Sequence, residues 1–527
     1  MTGKETGMRI GIDVGGTNTD AVLLDGRRVL GAVKSPTTED VVSGIVAAIH
    51  RLQEQCPHEP SEVAAVMVGT TQFVNALVQG RDLAPTAAVR LALPAGGSTP
   101  PMMTWPKRMI DAISGRAYMV SGGHEYDGRP IAGLDEAELV RAAEDMGAAG
   151  IRSVAITSVF SPVNAEFEEQ AAGVIASVLP DAAISLSHEI GRIGLLGREN
   201  ATIVNAALRD LATRIVEGLG AEIVRTGITA PFYLTQNDGT LLDAAQVRKY
   251  PVATFASGPT NSMRGAAALS GLDSCAVADI GGTTTDIGVL THGFPREAAS
   301  DVEVAGICTN FRMPDVLSVG IGGGSMIREQ GSDFAIGPDS VGYKLLQSAL
   351  VFGGDTLTAT DIAVAAGYCD IGERDRVAHL APEFVKACLE RIAKETADAI
   401  DRMRVSAEPL PVVAVGGGSV LLPDRLPGLG AVQRPENHAV ANAIGAAIAQ
   451  VGGEVDKVYA TDRARSAIVD EAKQEAVDKA VAAGAEPGSV TIVDVDEIPV
   501  PYAGGATRIR VKAVGDLLIG SQGGGNA

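Results

Sequence analysis

Two short stretches of the chain carry aspartate, glycine and threonine in the same order. They are residues 13–20 (DVGGTNTD, here loop 1) and residues 279–286 (DIGGTTTD, here loop 2). Glycines in a turn between strands let backbone N–H groups approach a phosphate with no Cβ in the way. An aspartate at the strand end places a carboxylate where it could hold Mg²⁺. One copy could be a plain hairpin turn, but two copies about half a chain apart indicate a duplicated phosphate clamp.

Two further glycine-rich segments follow predicted strands. Residues 412–415 lead into Gly416-Gly417-Gly418-Ser419, and residues 315–319 lead into a segment that contains Gly323 and Gly324. Consecutive glycines permit close approach of a flat group such as adenine with its ribose. Either segment could instead be a tight turn.

A third group of polar residues stands at the end of the predicted strand 63–68. Thr70 and Thr71 follow this strand, and Asn75 comes one helical turn later. Ligand crevices in α/β sheets lie at such strand ends, so these residues could contact substrate. The alternative is that Thr70 or Thr71 caps the following helix.

Two isolated residues complete the candidates. Ser257 opens a Ser-Gly-Pro segment before a predicted helix, and His124 lies in a loop bounded by glycines. Both could contact substrate. A single histidine among seven scattered ones can equally be structural.

Composition and missing motifs exclude several classes of protein. The formal net charge of −21 opposes binding to nucleic acid or to anionic membranes, although the acidity could serve solubility alone. Five scattered cysteines indicate reduced thiols and not a disulfide frame or zinc site. There is no signal-peptide pattern and no apolar run of about 20 residues, so a cytoplasmic protein is expected. The chain has no Walker A loop and no G-x-S-x-G motif.

The order of predicted elements divides the 527 residues into several units. Residues 1–190 would form a ribonuclease-H-like lobe, with an insertion at about 81–133 that could line a pocket. Residues 191–452 would form a second lobe, with a helix predicted over 436–451. A small α+β appendage is expected at 453–519 and a disordered tail at 520–527.

Taken together, these motifs resemble the two-lobed ATPases of the actin, Hsp70 and sugar-kinase superfamily. Within it, the chain is most similar to the hydantoinase A/oxoprolinase family. The resemblance covers residues 8 to about 450 and rests on segments in family order, namely 11–20, 68–75, 257–259, 279–286, 320–325, 358–361 and 442–445. It implies an α/β fold with an ATP cleft between two ribonuclease-H-like lobes.

The resemblance also implies roles for individual residues. Asp13 and Asp279 would organise Mg²⁺, and Thr70, Thr71 and Asn75 would face the acceptor. The nucleotide would meet loop 1, loop 2 and the later glycines, through Gly15, Gly16, Thr17, Asn18, Thr19, Gly281, Gly282, Thr283, Thr284, Gly323, Gly324, Gly416, Gly417, Gly418 and Ser419. The general base stays open among Asp20, Asp286 and Asp361.

The chemistry implied by the family is transfer of the γ-phosphate of ATP to the carbonyl oxygen of a hydantoin, lactam or imide, followed by ring opening. A second subunit usually completes the reaction, and an oligomer is expected. Alternatives are the ATPase subunit of a ketone carboxylase, a small-molecule kinase, or a chaperone-like activator ATPase. Longer members carry a Pro-Gly-Pro-x-Cys-Tyr-Gly stretch where residues 341–346 stand here, and they continue into a second half. These differences make 5-oxoproline a doubtful substrate and a separate partner subunit plausible.

Overall fold

A computed structural model describes residues 7–37, 41–299, 301–330, 333–406, 408, 410–459, 464–500 and 506–519. The beginning of the chain has the element order of a ribonuclease-H-like lobe, with three antiparallel strands, a helix, a parallel strand and a second helix. The strands are apolar because both faces of the sheet are covered; Ile10 and Ile12, for example, are fully buried. The elements are β1 (Met8–Val14), β2 (Asn18–Asp25), β3 (Arg28–Pro36), α1 (Val41–Gln55), β4 (Val63–Thr70) and α2 (Gln72–Gln79).

The next part of the chain builds a separate four-stranded parallel sheet in the order β6-β5-β7-β8. Residues 81–133, interpreted from sequence as an insertion, supply two of its strands. Its elements are β5 (Thr86–Leu93), α3 (Lys107–Ala112), β6 (Arg116–Ser121), α4 (Glu136–Ala148), β7 (Ser153–Ser158), α5 (Glu166–Val178), β8 (Ala183–Leu186) and the long helix α6 (Leu195–Arg225).

A second large sheet, in the order β13-β12-β11-β19-β21-β20 with β16 beside β12, forms the other lobe. The elements that lead to it and build it are β9 (Phe232–Thr235), β10 (Thr240–Leu242), α7 (Ala244–Lys249), α8 (Ser257–Ser270), β11 (Cys275–Ile280), β12 (Thr285–Thr291), β13 (Phe294–Pro295), β14 (Val302–Val304), β15 (Ile307–Thr309), β16 (Val316–Val319), β17 (Ser325–Gln330), β18 (Asp333–Ser340), α9 (Leu345–Ser348), α10 (Ala359–Ala365), α11 (Pro382–Met403), β19 (Val412–Val415), β20 (Arg425–Leu426) and β21 (Gly430–Gln433).

The last elements return to the first sheet, which reads β23-β24-β22-β10-β9-β4-β1-β2-β3. They are α12 (Ala441–Ala447), β22 (Gln450–Tyr459), α13 (Arg465–Ala482), β23 (Thr491–Pro499) and β24 (Thr507–Gly515). The helix predicted over 436–451 is therefore too long. Its small residues suit a helix, but β22 begins at Gln450 and packs against α13 so closely that a Cβ on Gly453 would overlap the backbone of Ala476.

The two large sheets confirm the α/β class with two ribonuclease-H-like lobes. Each contains an antiparallel hairpin beside a parallel strand, β1–β2 with β4 and β11–β12 with β19. The domain limits at 190 and 452 remain a prediction, and the first sheet includes strands from beyond both. The predicted tail, 520–527, lies outside the described residues.

Helices α8 and α12 cross between the two hairpins and set their spacing. At the crossing a Cβ on Gly265 would overlap the carbonyl of Ala441, and a Cβ on Gly445 would overlap the carbonyl of Asn261. Only glycine allows the two helices to approach this closely. Within the described ranges, none of the helices has the length and apolarity needed to cross a membrane.

Candidate functional site

Loop 1 and loop 2 have the same backbone arrangement. In each, the N–H of the first glycine donates to the carbonyl three residues later, at 3.0 Å in loop 1 and 2.9 Å in loop 2. In each, the two aspartates are paired across the hairpin, Asp13 with Asp20 and Asp279 with Asp286. The sequence repeat is therefore a structural repeat.

The two loops face each other. A Cβ placed on Gly282 of loop 2 would lie 2.9 Å from Oγ1 of Thr17 in loop 1, whereas a Cβ on Gly16 would meet nothing within 4 Å. Gly16 and Thr283 are exposed, and neither Thr17 nor Thr283 bonds through its hydroxyl to any residue in the described part of the chain. The loops thus leave backbone and hydroxyl groups directed to a shared space.

Asp13 is 4% exposed and is held by two amide side chains. Nδ2 of Asn261, on α8, donates to Oδ1 at 2.9 Å, and Nδ2 of Asn442, on α12, donates to Oδ2 at 3.1 Å. Burial raises the pKa of Asp13 to about 6; the charge of Asp20 adds to the rise and the two amides oppose it. Asp20 itself accepts from Asn442 at 2.9 Å and pairs with Lys34 at 2.6 Å.

Asp279 has a different set of partners. The hydroxyl of Ser262, the residue after Asn261 on α8, donates to its Oδ2 at 2.5 Å. Burial raises the pKa of Asp279 to about 7, with a smaller opposing effect from Ser262 and further rises from the charges of Asp286 and Asp13. Asp286 accepts from Ser318 Oγ at 2.5 Å, and burial raises its pKa as well. One helix therefore positions the first aspartate of both loops.

A glycine from the neighbouring parallel strand lies against each first aspartate. A Cβ on Gly69, at the end of β4, would overlap Oδ1 of Asp13, and a Cβ on Gly416, after β19, would overlap Oδ1 of Asp279. Gly416 also has φ +82°, which disfavours other residues. The predicted strand-end positions are thus brought to the two carboxylates.

The remaining glycines of the predicted set support loop 2 from behind. The N–H groups of Gly323 and Gly324 donate to the carbonyls of Gly281 and Gly282 at 2.9 and 2.7 Å. Gly418 N–H donates to the carbonyl of Ile280 at 2.8 Å. These three amides hold the loop in shape, so their N–H groups are already used within the protein.

Gly417 and Ser419 differ from their neighbours. A Cβ on Gly417 would meet nothing within 4 Å, so this position borders open space. Ser419 is fully buried, and its hydroxyl has no partner among the described residues. Both observations are compatible with the predicted nucleoside contact, which stays a prediction.

Thr70, Ser257 and Thr71 lie together where β4 ends and α8 begins. Ser257 Oγ accepts from the N–H of Thr70 at 3.3 Å and lies 3.2 Å from its carbonyl oxygen, so Ser257 joins the two elements. Thr70 Oγ1 accepts from Gln72 N–H at 3.2 Å, which agrees with the capping alternative. Thr71 makes no capping bond but accepts from Asn75 Nδ2 at 3.3 Å, and this pair is the more accessible to an acceptor.

Among the described residues, no contact links His124 to loop 1 or loop 2. It follows β6 in the four-stranded sheet, is fully buried, and packs on Phe167 with ring centroids 4.3 Å apart. Burial lowers the pKa of His124. Asp361 also has a structural environment: it accepts from Thr358 N–H at 2.7 Å and Val351 N–H at 2.8 Å as a helix cap.

The chemistry of the two buried carboxylates suits a divalent cation. Asp13 and Asp279 are buried, and their charges repel each other, so a cation between them would remove an unfavourable interaction. The described residues contain no cluster of three or more His, Cys, Asp or Glu side chains suited to a metal. Mg²⁺ usually takes one or two carboxylates and completes its shell with phosphate oxygens and water, so the two aspartates could hold it only together with such ligands.

Sequence reasoning missed the residues that hold these carboxylates. Asn261 lies four residues after Ser257, one turn into the helix, and Asn442 belongs to a segment that carried the family resemblance. Neither received a role, because an amide that donates to a distant carboxylate leaves no local pattern. An asparagine on the inner face of a small-residue helix was the available signal.

The facing hairpins, crossed by two glycine-bearing helices, define a two-lobed protein of the actin, Hsp70 and sugar-kinase type. The chain belongs to the hydantoinase/oxoprolinase family. Residues 9–179 match the model of the hydantoinase/oxoprolinase N-terminal region, and residues 198–373 match the hydantoinase/oxoprolinase model.

Known proteins of this family show both similarity and a difference in length. The caprolactamase subunit alpha of Pseudomonas jessenii is 28% identical over 68% of this chain and 54% of its own length. The acetophenone carboxylase gamma subunit of Aromatoleum aromaticum is 25% identical over 70% of this chain and 54% of its own. The chain therefore spans about half of these relatives. The crystal structure of ATP-dependent caprolactamase from Pseudomonas jessenii has the same fold, with a TM-score of 0.77 and 19% identity over 96% of this chain and 87% of that one.

Proposed function

We propose that this chain opens a cyclic amide, such as a hydantoin, lactam or imide, by ATP-dependent phosphorylation of the carbonyl oxygen. It would act as the ATP-binding subunit or as the whole enzyme. The observation that carries the proposal is the facing pair of loops with Asp13 and Asp279 buried between them. A relative named as a caprolactamase subunit supports a cyclic amide as acceptor.

The loops provide what phosphoryl transfer needs, namely positioning and charge stabilisation. Backbone N–H groups and the hydroxyls of Thr17, Thr283 and Thr284 would hold the phosphates. Asp13 and Asp279 would hold Mg²⁺, which supplies positive charge to the phosphate oxygens when bound. Helix α8 carries donors to both carboxylates. A change in the spacing of the lobes that shifted this helix would therefore displace Asp13 and Asp279 together.

The acceptor would lie near the end of β4. Gly69 lies against Asp13, and Thr71 and Asn75 continue from there on α2. An amide carbonyl is a poor electrophile because nitrogen donates electron density to it. Phosphorylation of the oxygen makes the carbon electrophilic enough for water to add, and the C–N bond of the ring then breaks as the nitrogen takes up a proton. A second water, on this chain or on a partner subunit, would hydrolyse the resulting acyl phosphate to a carboxylate and free phosphate.

A ketone carboxylase subunit is the second candidate, favoured by the relative named as an acetophenone carboxylase gamma subunit. The same clamp would serve, with an enolate or carbonate oxygen in place of the amide oxygen. Both relatives are named as subunits, which supports a partner subunit here.

The test is phosphate release from Mg-ATP by the pure protein with a panel of acceptors. Stimulation by one or more lactams, hydantoins or imides is expected. Stimulation only by a ketone with bicarbonate would replace the first candidate with the second. If no small molecule in the panel stimulates release, with or without the co-expressed partner subunit, both are wrong.

A further inference from the structure

A polar cavity lies apart from the proposed phosphate clamp. It has a volume of about 830 Å³, and no residue of loop 1 or loop 2 lines it. Ser161 and His188, which follow β7 and β8, stand on one wall, and Asp456, Lys457 and other residues from the C-terminal strands stand opposite. The cavity thus opens at the carboxyl edge of the four-stranded parallel sheet, where α/β sheets bind ligands.

A buried carboxylate is built into the wall of this cavity. Glu168, in the first turn of α5, is fully buried and accepts four hydrogen bonds. The donors are Ser158 N–H at 2.8 Å, Ser187 Oγ at 2.5 Å, His188 N–H at 3.1 Å and His188 Nδ1 at 2.7 Å. These bonds keep the pKa of Glu168 below its usual value despite its burial, so the carboxylate is ionised.

The position of Glu168 fixes the state of His188. An ionised carboxylate only accepts, so Nδ1 of His188 must carry a proton. The ring is 20% exposed, and Nε2 bonds to no protein group in the described part of the chain. Nε2 is therefore the atom through which His188 can meet a ligand in the cavity, and Glu168 favours the form in which Nε2 is protonated and donates.

The balance of charge in the lining of the cavity differs from that of the whole chain. Its lining includes five Lys and Arg side chains and four Asp and Glu side chains, whereas the chain has a net charge of −21. The surplus of positive charge lies at Lys457 and Lys479. Both pair with the carboxylate of Glu475, at 2.7 and 3.0 Å. Both lysine side chains remain about half exposed, at 47% and 49%, and Lys479 Nζ also donates to the carbonyl of Glu454 at 3.0 Å. This rim can pair with an anion without losing an existing partner.

The available donors favour a carboxylate over a phosphate. Phosphate sites usually offer several backbone N–H groups in a loop. Along this wall the N–H groups of Ile190 and Gly191 donate to Ser187 at 3.2 Å each, and that of Arg192 donates to Asn310 at 3.1 Å. What remains is a set of separate side-chain donors, which suits a small planar anion.

We propose that this cavity is a binding site for a small carboxylate, with His188 Nε2 as donor and Lys457 and Lys479 as the cationic rim. Glu168 is the positioning residue, since it orients the imidazole without touching the ligand. The site is independent of the proposed clamp.

Isothermal titration with glutarate as the probe tests this site. Binding at about pH 6 is expected, weakening by about tenfold or more near pH 9 as the imidazolium loses its proton. Burial disfavours the charged imidazole, but the carboxylates of Glu168, Glu189 and Glu169 together outweigh it and raise the pKa of His188 above its ordinary value of 6.5. His188→Gln should weaken binding about tenfold at pH 6 and remove the pH dependence. Lys479→Gln, an exposed change that spares the fold, should weaken binding severalfold.

Two controls keep the result specific. His379→Gln changes an exposed histidine away from the cavity and should bind glutarate like the wild type. Asp279→Asn, in the clamp, should also bind it normally. Absence of heat from the wild type, equal affinity in His188→Gln and Lys479→Gln, or loss of binding in Asp279→Asn would each overturn the proposal. None of these outcomes bears on ATP turnover, so the two sites are judged separately.

Discussion

Loop 1 and loop 2 share a backbone but not an electrostatic environment. Both hairpins pair two aspartates and close the same glycine turn. In loop 1, two amides hold Asp13, and Lys34 neutralises Asp20. In loop 2, Asp279 and Asp286 each accept from one serine hydroxyl, and neither forms an ion pair with a Lys or Arg side chain among the described residues.

From this difference we infer a division of roles within the proposed clamp. The carboxylates of loop 1 are already compensated, so they can act as a fixed frame. The carboxylates of loop 2 keep more of the cost of burying charge, which agrees with the higher pKa, about 7 against about 6. A cation would therefore relieve more repulsion at loop 2, and changes there should affect turnover more.

The largest expected effect follows from Asp279→Asn. We expect phosphate release from Mg-ATP to fall by roughly a thousandfold, because an amide cannot supply the charge that positions a cation. Asp13→Asn should also lower phosphate release strongly, but by a smaller factor. Steady-state phosphate assays measure both, with Asp424→Asn, at a side chain that is 96% exposed, as the matched control. Turnover at the wild-type rate in Asp279→Asn would contradict the assignment of the clamp.

The second prediction compares the glycines that touch the two carboxylates. Gly69→Ala and Gly416→Ala should each lower turnover by roughly a hundredfold, since the new Cβ would displace Asp13 or Asp279. Gly416→Ala should also lower the melting temperature more, because φ +82° costs an alanine about 1–2 kcal/mol.

Gly417→Ala is the control for this pair. Its Cβ would meet nothing within 4 Å, so the ligand-free protein should keep its melting temperature. If Gly69→Ala and Gly416→Ala kept the turnover of the wild type, close contact of these glycines with the carboxylates would not matter for function.

The sequence predicts the loops well because their signal is local. Buried strands read as apolar runs, and glycines and aspartates stand at their ends, so both hairpins follow from residues 8–24 and 277–290. The sheet that joins β10 to β22 could not be predicted in this way. Its pairing links Leu241 to Val451 across the whole second lobe, and no local periodicity encodes such a partner.

The candidate site shows the same limit. Asp13 and Asp279 were predicted, but Asn261, Ser262 and Asn442 received no role. Their hydrogen bonds span 17, 248 and 429 residues of sequence. The spacing of residues along the two donor helices does not indicate these distant acceptors. Sequence spacing identifies residues that could do chemistry, whereas the fold determines which other residues orient them and shift their pKa.

The third prediction concerns these donors. Ser262→Ala removes the one side-chain donor that Asp279 has among the described residues. The change should raise the pKa of Asp279 and lower turnover near pH 7 by about tenfold. Asn261→Ala leaves Asp13 with Asn442, so a smaller loss is expected. Activity of both should recover as the pH rises and the carboxylates ionise. Measurement of kcat/KM against pH tests this, with Ser270→Ala, on the same helix, as control. A loss that is constant over pH would mean a structural effect and not a pKa effect.

The smallest effect is expected in the stability of the ligand-free protein. An aspartate with a raised pKa binds more protons in the folded state than in the unfolded state, so stability falls as pH rises from the ordinary value of 3.8 to the folded one. That window ends at about 6 for Asp13 and about 7 for Asp279. At pH 8 Asp279→Asn should therefore raise the melting temperature by a few degrees, more than Asp13→Asn does, and near pH 4 neither should matter. Differential scanning fluorimetry without metal or nucleotide measures this. An equal rise for both variants at pH 8 would show that the two loops bear the same electrostatic cost, and the division of roles between them would be wrong.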